Sequence, residues 1–235
     1  MKQHIPNLIT LGNLLCGTLG IIVILVPDNP FNFPPSYAAL LLILAAVLDF
    51  FDGFSARLLK VSSEIGKQLD SLSDAVTFGV LPGLMTYQWL NAISTIEYLP
   101  FIGLIIPLLS VYRLAKFNID TRQTSSFIGL PTPANALFFA SFWLIGYFEP
   151  ESFIIQYISM QWVVAGLSIL FSILLIAELP LFSLKLKSLQ WKENKYVYFF
   201  LISSIGLFAC FCFTAIPFII LLYLLISMVK NILER

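Results

Sequence analysis

The chain has 235 residues, 59% of them hydrophobic and 11% charged, and its 13 basic and 13 acidic side chains leave no formal net charge. A soluble domain carries about 25% charged residues, so the composition excludes a protein solvated on all sides, and the charge balance argues against a nucleic-acid partner. Apolar runs long enough to span a bilayer, about 20 residues each, recur throughout, which predicts an all-α, polytopic membrane helical bundle.

In chain order, eight spans are predicted, roughly 9–27, 36–58, 68–90, 98–118, 131–148, 160–181, 196–212 and 214–230. The first follows no basic stretch and precedes no small-residue cleavage site, so it is expected to be a retained helix. Proline and asparagine mark the turns, as in "PDNPFNFPPS" after the first span and "FEPES" after the fifth. Around "CFCFTAIP" the last two spans adjoin so closely that they form either a hairpin or one long broken segment. No long soluble segment or internal repeat interrupts the spans, so residues 1–235 are expected to form a single membrane domain.

Charge placement orients this map. Lys2, Arg57, Lys60, Lys67, Arg113, Lys116, Arg122, Lys185, Lys187, Lys192, Lys195, Lys230 and Arg235 all fall on one side of it, and these are all 13 basic residues. The opposite turns carry Asp28, Glu97, Glu149 and Glu151. The excess of Lys and Arg in cytoplasmic loops then puts both termini and the turn after span two in the cytoplasm, in a protein of the cell's inner membrane. Cys16, Cys210 and Cys212 lie in apolar runs without metal spacing and read as buried small hydrophobes; His4 stands alone and reads as solvated or interfacial.

One segment breaks the apolar pattern, "LDFFDGFSARLLKVSSEIGKQLDSLSDAVTFG" over 48–79. Asp49 and Asp52 are three apart and share a helix face; Asp70 and Asp74 are four apart and share a face of the next helix. An antiparallel turn through Gly66 would bring the four carboxylates together, where they repel and need cations to remain ionised. Clustered oxygen ligands suit Mg²⁺ or Mn²⁺, and two such ions about 3.5–4 Å apart would clamp a phosphoryl group. Gly53 and Ala56 beside Asp52 let a ligand approach the backbone, and Arg57 offers a planar fork suited to phosphate.

The pattern Asp49-x-x-Asp52-Gly53-x-x-Ala56-Arg57, eight residues, then Gly66-x-x-x-Asp70-x-x-x-Asp74 resembles the signature of the CDP-alcohol phosphatidyltransferases at every motif position. The resemblance implies a membrane-embedded enzyme with a six-helix core and extra helices, commonly a homodimer, that moves a phosphatidyl or similar group from a CDP-linked donor to an alcohol and releases CMP. It implies that Asp49, Asp52, Asp70 and Asp74 hold divalent metal, Mn²⁺ or Mg²⁺ and two ions, and that Asp74 is also the catalytic base. Gly53, Ala56, Arg57 and Gly66 would line the CDP-donor site, and Asn7 and Thr10, where span one reaches the same membrane face, are candidates for its rim.

Two further segments resemble the phosphatidylserine synthase branch: the N-terminal "HIPNLITLGNLLCGTLGI", and 112–136, which contains R-L-A-K-F-N and F-I-G-L-P-T-P-A. CDP-diacylglycerol and L-serine are therefore the expected substrates. A zwitterionic acceptor needs a cation for its carboxylate, for which Arg113 is the candidate, with Lys116 and Asn118 beside it. Lys116 stands where the branch more often has Arg, which keeps charge and loses the bidentate fork. Pro131 and Pro133 are expected to shape the start of span five. The resemblance runs to about residue 136; beyond it the chain reads as membrane spans. Glycerol 3-phosphate, inositol phosphate and choline are the alternative acceptors, and a cation-coupled transporter is the alternative from another class.

Overall fold

A computed structural model describes residues 4–26, 28–29, 32–61, 63–120, 127–182 and 191–233. Lys2, Arg122, Lys185, Lys187 and Arg235, used above to orient the spans, lie outside the described residues. The protein is a helical membrane bundle. Its helices are α1 (His4–Leu25), α2 (Tyr37–Leu59), α3 (Glu64–Asp74), α4 (Leu81–Ile93), α5 (Ile105–Ile119), α6 (Thr132–Phe148), the single turn α7 (Ile155–Ile158), α8 (Gln161–Ile176), α9 (Trp191–Phe211) and α10 (Ala215–Leu233). A π-helical segment, Ala75–Val80, joins α3 to α4, and a 3₁₀ segment, Leu99–Leu104, leads into α5.

Among the described residues, four segments are long and apolar enough to cross a membrane: His4–Leu25, Tyr37–Leu59, Leu99–Ile119 and Asn194–Leu233. The last is 40 residues, about twice a span, and it folds back on itself. Cys212 takes a left-handed backbone with φ of 45°, and Phe200 of α9 meets Tyr223 of α10 with ring centroids 5.7 Å apart. Residues 23 apart in sequence touch only if the chain reverses, so α9 and α10 are a hairpin.

Helices in lipid gain little from hiding apolar surface and associate through close packing of small residues. α1 shows how. Pro6, Thr10, Asn13, Gly17 and Gly20 form one buried stripe along it, spaced by three or four residues. A Cβ on Gly17 would collide with Thr77, and one on Gly20 would lie 2.8 Å from Leu81 Cδ2. α1 therefore lies against the π segment and the start of α4, with the alanine-rich face of α2 (Ala38, Ala39, Ala45) in the same core. A second core, built on the stacked rings of Phe138 and Phe171 at 3.9 Å, joins α6 to α8 and the hairpin.

The F-I-G-L-P-T-P-A segment has a local role. Phe127–Ile128 pairs antiparallel with Pro180–Leu181, the Gly129 N–H donates to Leu179 O, and the Leu130 N–H donates to Leu174 O. Gly129 has φ of 78°, and a Cβ there would lie 2.5 Å from Leu175 O, so both its dihedral and its surroundings require glycine. Pro131 then caps α6 and Pro133 sits in its first turn, as expected. Of the cysteines, Cys16 is buried, but Cys210 and Cys212 are exposed, against expectation. In a bundle whose outer surface faces lipid, an apolar run need not turn inward. His4 is exposed, as expected.

Candidate active site

The aspartates lie where α2 ends and α3 passes into the π segment. Ser63 caps α3 by accepting from the Gly66 N–H at 2.9 Å. That cap starts α3 soon after α2 ends, and Asp70 and Asp74 lie on the side of α3 turned toward Asp49. Carboxylate oxygens of Asp49, Asp70 and Asp74 all fall within 4.8 Å of one another. Asp52 lies beside this group, and its Oδ2 accepts from the Thr10 hydroxyl at 2.7 Å. Asp52 and Asp74 are buried and Asp49 and Asp70 half-buried. No Lys or Arg among the described residues forms an ion pair with any of the four.

Converging carboxylates away from bulk water, without a paired cation, repel strongly. They are hard oxygen donors on two facing helices, a set that fits a divalent cation such as Mg²⁺ or Mn²⁺. The chemistry of the donor set and its geometry therefore agree.

α1 holds this arrangement from behind. The Asn13 side-chain amide donates to Asp74 Oδ1 at 3.3 Å, the Ser73 hydroxyl donates to Thr10 O at 3.2 Å, and the Thr77 hydroxyl donates to Asn13 O at 3.3 Å. Asn13 escaped the sequence reading, although its spacing of three from Thr10 puts both on one helix face.

Beside the acids opens a cavity of about 290 Å³. Asn7, Thr10, Gly53, Ala56 and Gly66, all donor-site candidates, line it together with Asp52, Asp70, Pro6, Val61, Ser63 and Lys67. A Cβ on Gly53 would meet nothing within 4 Å, so the space in front of it is open. Arg57 is exposed and is not among the lining residues; it follows Ala56 by one residue, about 100° round the helix, and faces outward. Asn7 and Thr10, expected near the start of span one, lie inside α1, which begins at His4.

The three acceptor candidates on α5 separate. Arg113 is buried, its Nε has no hydrogen-bond partner among the described residues, and it lies within electrostatic reach of Asp74. Lys116 pairs with the exposed Glu178 at 3.3 Å, and Asn118 donates to Ser71 Oγ on α3 at 2.8 Å. Both therefore already have protein partners. Arg113 and Lys116 border a crevice of only about 10 Å³ closed by Leu175 and Ile176.

Residues 3–174 match the CDP-alcohol phosphatidyltransferase family. The chain belongs to that family. It is 39% identical over 136 residues to the CDP-diacylglycerol–serine O-phosphatidyltransferase of Bacillus subtilis (strain 168), a match covering 56% of this chain and 70% of the relative. It is 33% identical over 150 residues to the archaetidylserine synthase of Methanothermobacter thermautotrophicus, covering 63% of this chain and 61% of the relative. Against the CDP-diacylglycerol–serine O-phosphatidyltransferase of Methanocaldococcus jannaschii it is 29% identical over 230 residues, 98% of this chain and 93% of the relative. The likeness thus extends well beyond residue 136, where the motifs end, and in the last case takes in the α9–α10 hairpin.

Proposed function

We propose that this CDP-alcohol phosphatidyltransferase moves the phosphatidyl group of CDP-diacylglycerol to the hydroxyl of L-serine, giving phosphatidylserine and CMP. The observation that carries the reading is the convergence of Asp49, Asp70 and Asp74 at the edge of a cavity lined by the small residues of the same motif. The names of the relatives and the R-L-A-K-F-N segment support serine as acceptor.

The donor's CDP group lies in the cavity, where Gly53 leaves room for it and the Lys67 ammonium neutralises phosphate charge. Asp74 takes the proton of the serine hydroxyl, a weak nucleophile at neutral pH. The serine oxygen forms a bond to the phosphorus that carries diacylglycerol, and the bond from that phosphorus to the CMP oxygen breaks with its electron pair leaving on CMP. Asn13 holds Asp74 by its Oδ1, which leaves Oδ2 to receive the proton. Arg113 takes the serine carboxylate. Lys116 and Asn118 keep α5 in register, through Glu178 and through Ser71 of α3. Asp49, Asp52, Asp70 and Asp74 would hold Mg²⁺ or Mn²⁺, two ions in all, which would supply charge neutralisation to the pyrophosphate.

The chain is read as one membrane domain with a catalytic core formed by the first six spans and an accessory α9–α10 hairpin. Its basic end, both termini and the acidic site face the cytoplasm in the inner membrane, and the working unit is a homodimer.

The test is CMP release from CDP-diacylglycerol by the purified protein with L-serine, glycerol 3-phosphate, inositol phosphate or choline, and Asp74→Asn as the blank. Release with serine alone, lost in the variant, is expected. Release with a different alcohol would overturn the acceptor assignment, and release with none by a folded protein that binds Mn²⁺ would overturn the chemistry.

A further inference from the structure

The π segment Ala75–Val80 directly follows Asp74, and π turns of this kind are frequent at functional sites. Two helices meet it at buried polar side chains, Asn13 of α1 and Ser110 of α5. From α1, Asn13 reaches Asp74 with its amide nitrogen and is held through its backbone carbonyl by Thr77. The carboxylate of Asp74 requires a donor opposite it, so the amide nitrogen must be the atom that faces it and the amide oxygen is left over. That oxygen is buried and has no hydrogen-bond partner among the described residues.

From α5, Ser110 faces Gly79: a Cβ on that glycine would lie 3.2 Å from Ser110 Cβ. The Ser110 hydroxyl is also buried and, among the described residues, unpartnered, as is Nε of Arg113, one turn further along the same face. Leaving a buried polar atom unpaired costs about 1–3 kcal/mol, and three such atoms flank one short segment. Their chemistry is not random. One is an acceptor on α1 beside the base, and on α5 a hydroxyl stands one turn from a guanidinium donor.

We propose that Asn13 and Ser110 complete the acceptor subsite. The Asn13 amide oxygen accepts from the ammonium of serine, and the Ser110 hydroxyl joins Arg113 in donating to its carboxylate. Serine has its ammonium and its carboxylate on the carbon next to the one bearing the hydroxyl, so with the hydroxyl placed at Asp74 the ammonium turns to α1 and the carboxylate to α5. An acceptor with a phosphate in place of the ammonium would set that anion against the Asn13 oxygen, so the same atom discriminates against phosphorylated alcohols. This inference rests on the assignment of serine as acceptor.

Its test is steady-state CMP release by the full-length protein with CDP-diacylglycerol and L-serine, comparing wild type with Asn13→Ala and Ser110→Ala. A hydrogen bond to a charged group is worth about tenfold or more in binding. The KM for serine is expected to rise about tenfold or more in each variant, with the KM for CDP-diacylglycerol unchanged. If kcat falls in Asn13→Ala while the KM for serine stays put, Asn13 only orients Asp74 and the proposal is overturned for that residue. An unchanged KM for serine in Ser110→Ala overturns it for the other. Asn13→Gln, which keeps the amide and displaces it by one methylene, replaces Asn13→Ala if that protein does not fold, and is read by the same split. Wild-type protein that releases no CMP with serine would instead defeat the acceptor assignment itself.

Discussion

The Thr10 hydroxyl on α1 lies 2.7 Å from Asp52 Oδ2 on α2, across 42 residues of sequence. Among the described residues, Asp52 is the aspartate of the four that a side-chain hydroxyl holds, while the three others converge on each other. Thr10→Val keeps the shape and removes the hydroxyl. Activity is expected to fall about tenfold, and the Mn²⁺ concentration for half-maximal activity to rise, because ligands without their supporting hydrogen bonds typically cost 10–100-fold. Titration of activity against Mn²⁺ checks this; an unchanged midpoint would leave Asp52 outside the metal set.

Asp74 is the residue on which base catalysis rests. Asp74→Asn is isosteric and retains the position of the side chain beside Asn13. CMP release is expected to drop by about 10²–10⁴-fold, the usual contribution of a positioned base, with little change in melting temperature. A loss below tenfold in folded protein would assign proton removal to another group.

The two motif glycines should respond in opposite ways. Gly53 faces open space, whereas a Cβ on Gly66 would lie 2.9 Å from Ser63 Oγ and 3.1 Å from Asn7 Oδ1. Gly53→Leu is expected to fill the cavity, raising the KM for CDP-diacylglycerol several-fold without lowering the melting temperature. Gly66→Ala is expected to disturb the cap of α3 and cost about 1 kcal/mol of stability as well as activity, the typical worth of a helix N-cap. Thermal melts in detergent beside KM measurements separate the two.

At the other end of the bundle, Glu149 ties α6 to the hairpin. Its carboxylate accepts from the Phe213 and Thr214 N–H groups at 2.6 and 2.9 Å and from the Thr214 hydroxyl at 2.5 Å. Those amides belong to the 3₁₀ turn Cys212–Thr214 that leads into α10, where a negative charge is favourable. Glu149→Ala should lower stability by about 2 kcal/mol, within the range for hydrogen bonds to a charged group, and leave the KM for serine and for CDP-diacylglycerol unchanged. A melting temperature equal to wild type would contradict the clasp.

Much of this arrangement was legible in the sequence because it obeys local periods. Spacings of three and four put Asp49 with Asp52 and Asp70 with Asp74, and apolar run lengths located the helices. What escaped is what depends on distant partners or on irregular backbone. The π segment widens one turn by a residue, which no apolar period reveals, yet it brings Thr77 to Asn13 and Gly79 to Ser110. Glu178 claims Lys116 from 62 residues away, and Ser71 claims Asn118 from 47. Arg57 matches the motif by position, but one residue of helical rotation past Ala56 carries it out of the cavity. For α9 and α10 the sequence left a hairpin and one long broken segment both open, since hydropathy alone does not distinguish the two, and the contact of Phe200 with Tyr223 decides for the hairpin.

The most direct test supplies the purified protein with CDP-diacylglycerol and isotope-labelled L-serine, with Mn²⁺ and then with excess chelator. Label is expected in the lipid fraction as phosphatidylserine, one molecule for each CMP released. It should disappear with chelator and in Asp74→Asn, and return when Mn²⁺ is restored. Label entering lipid undiminished under chelation would contradict a metal site built from Asp49, Asp70 and Asp74. CMP release without label in lipid would contradict serine as the acceptor.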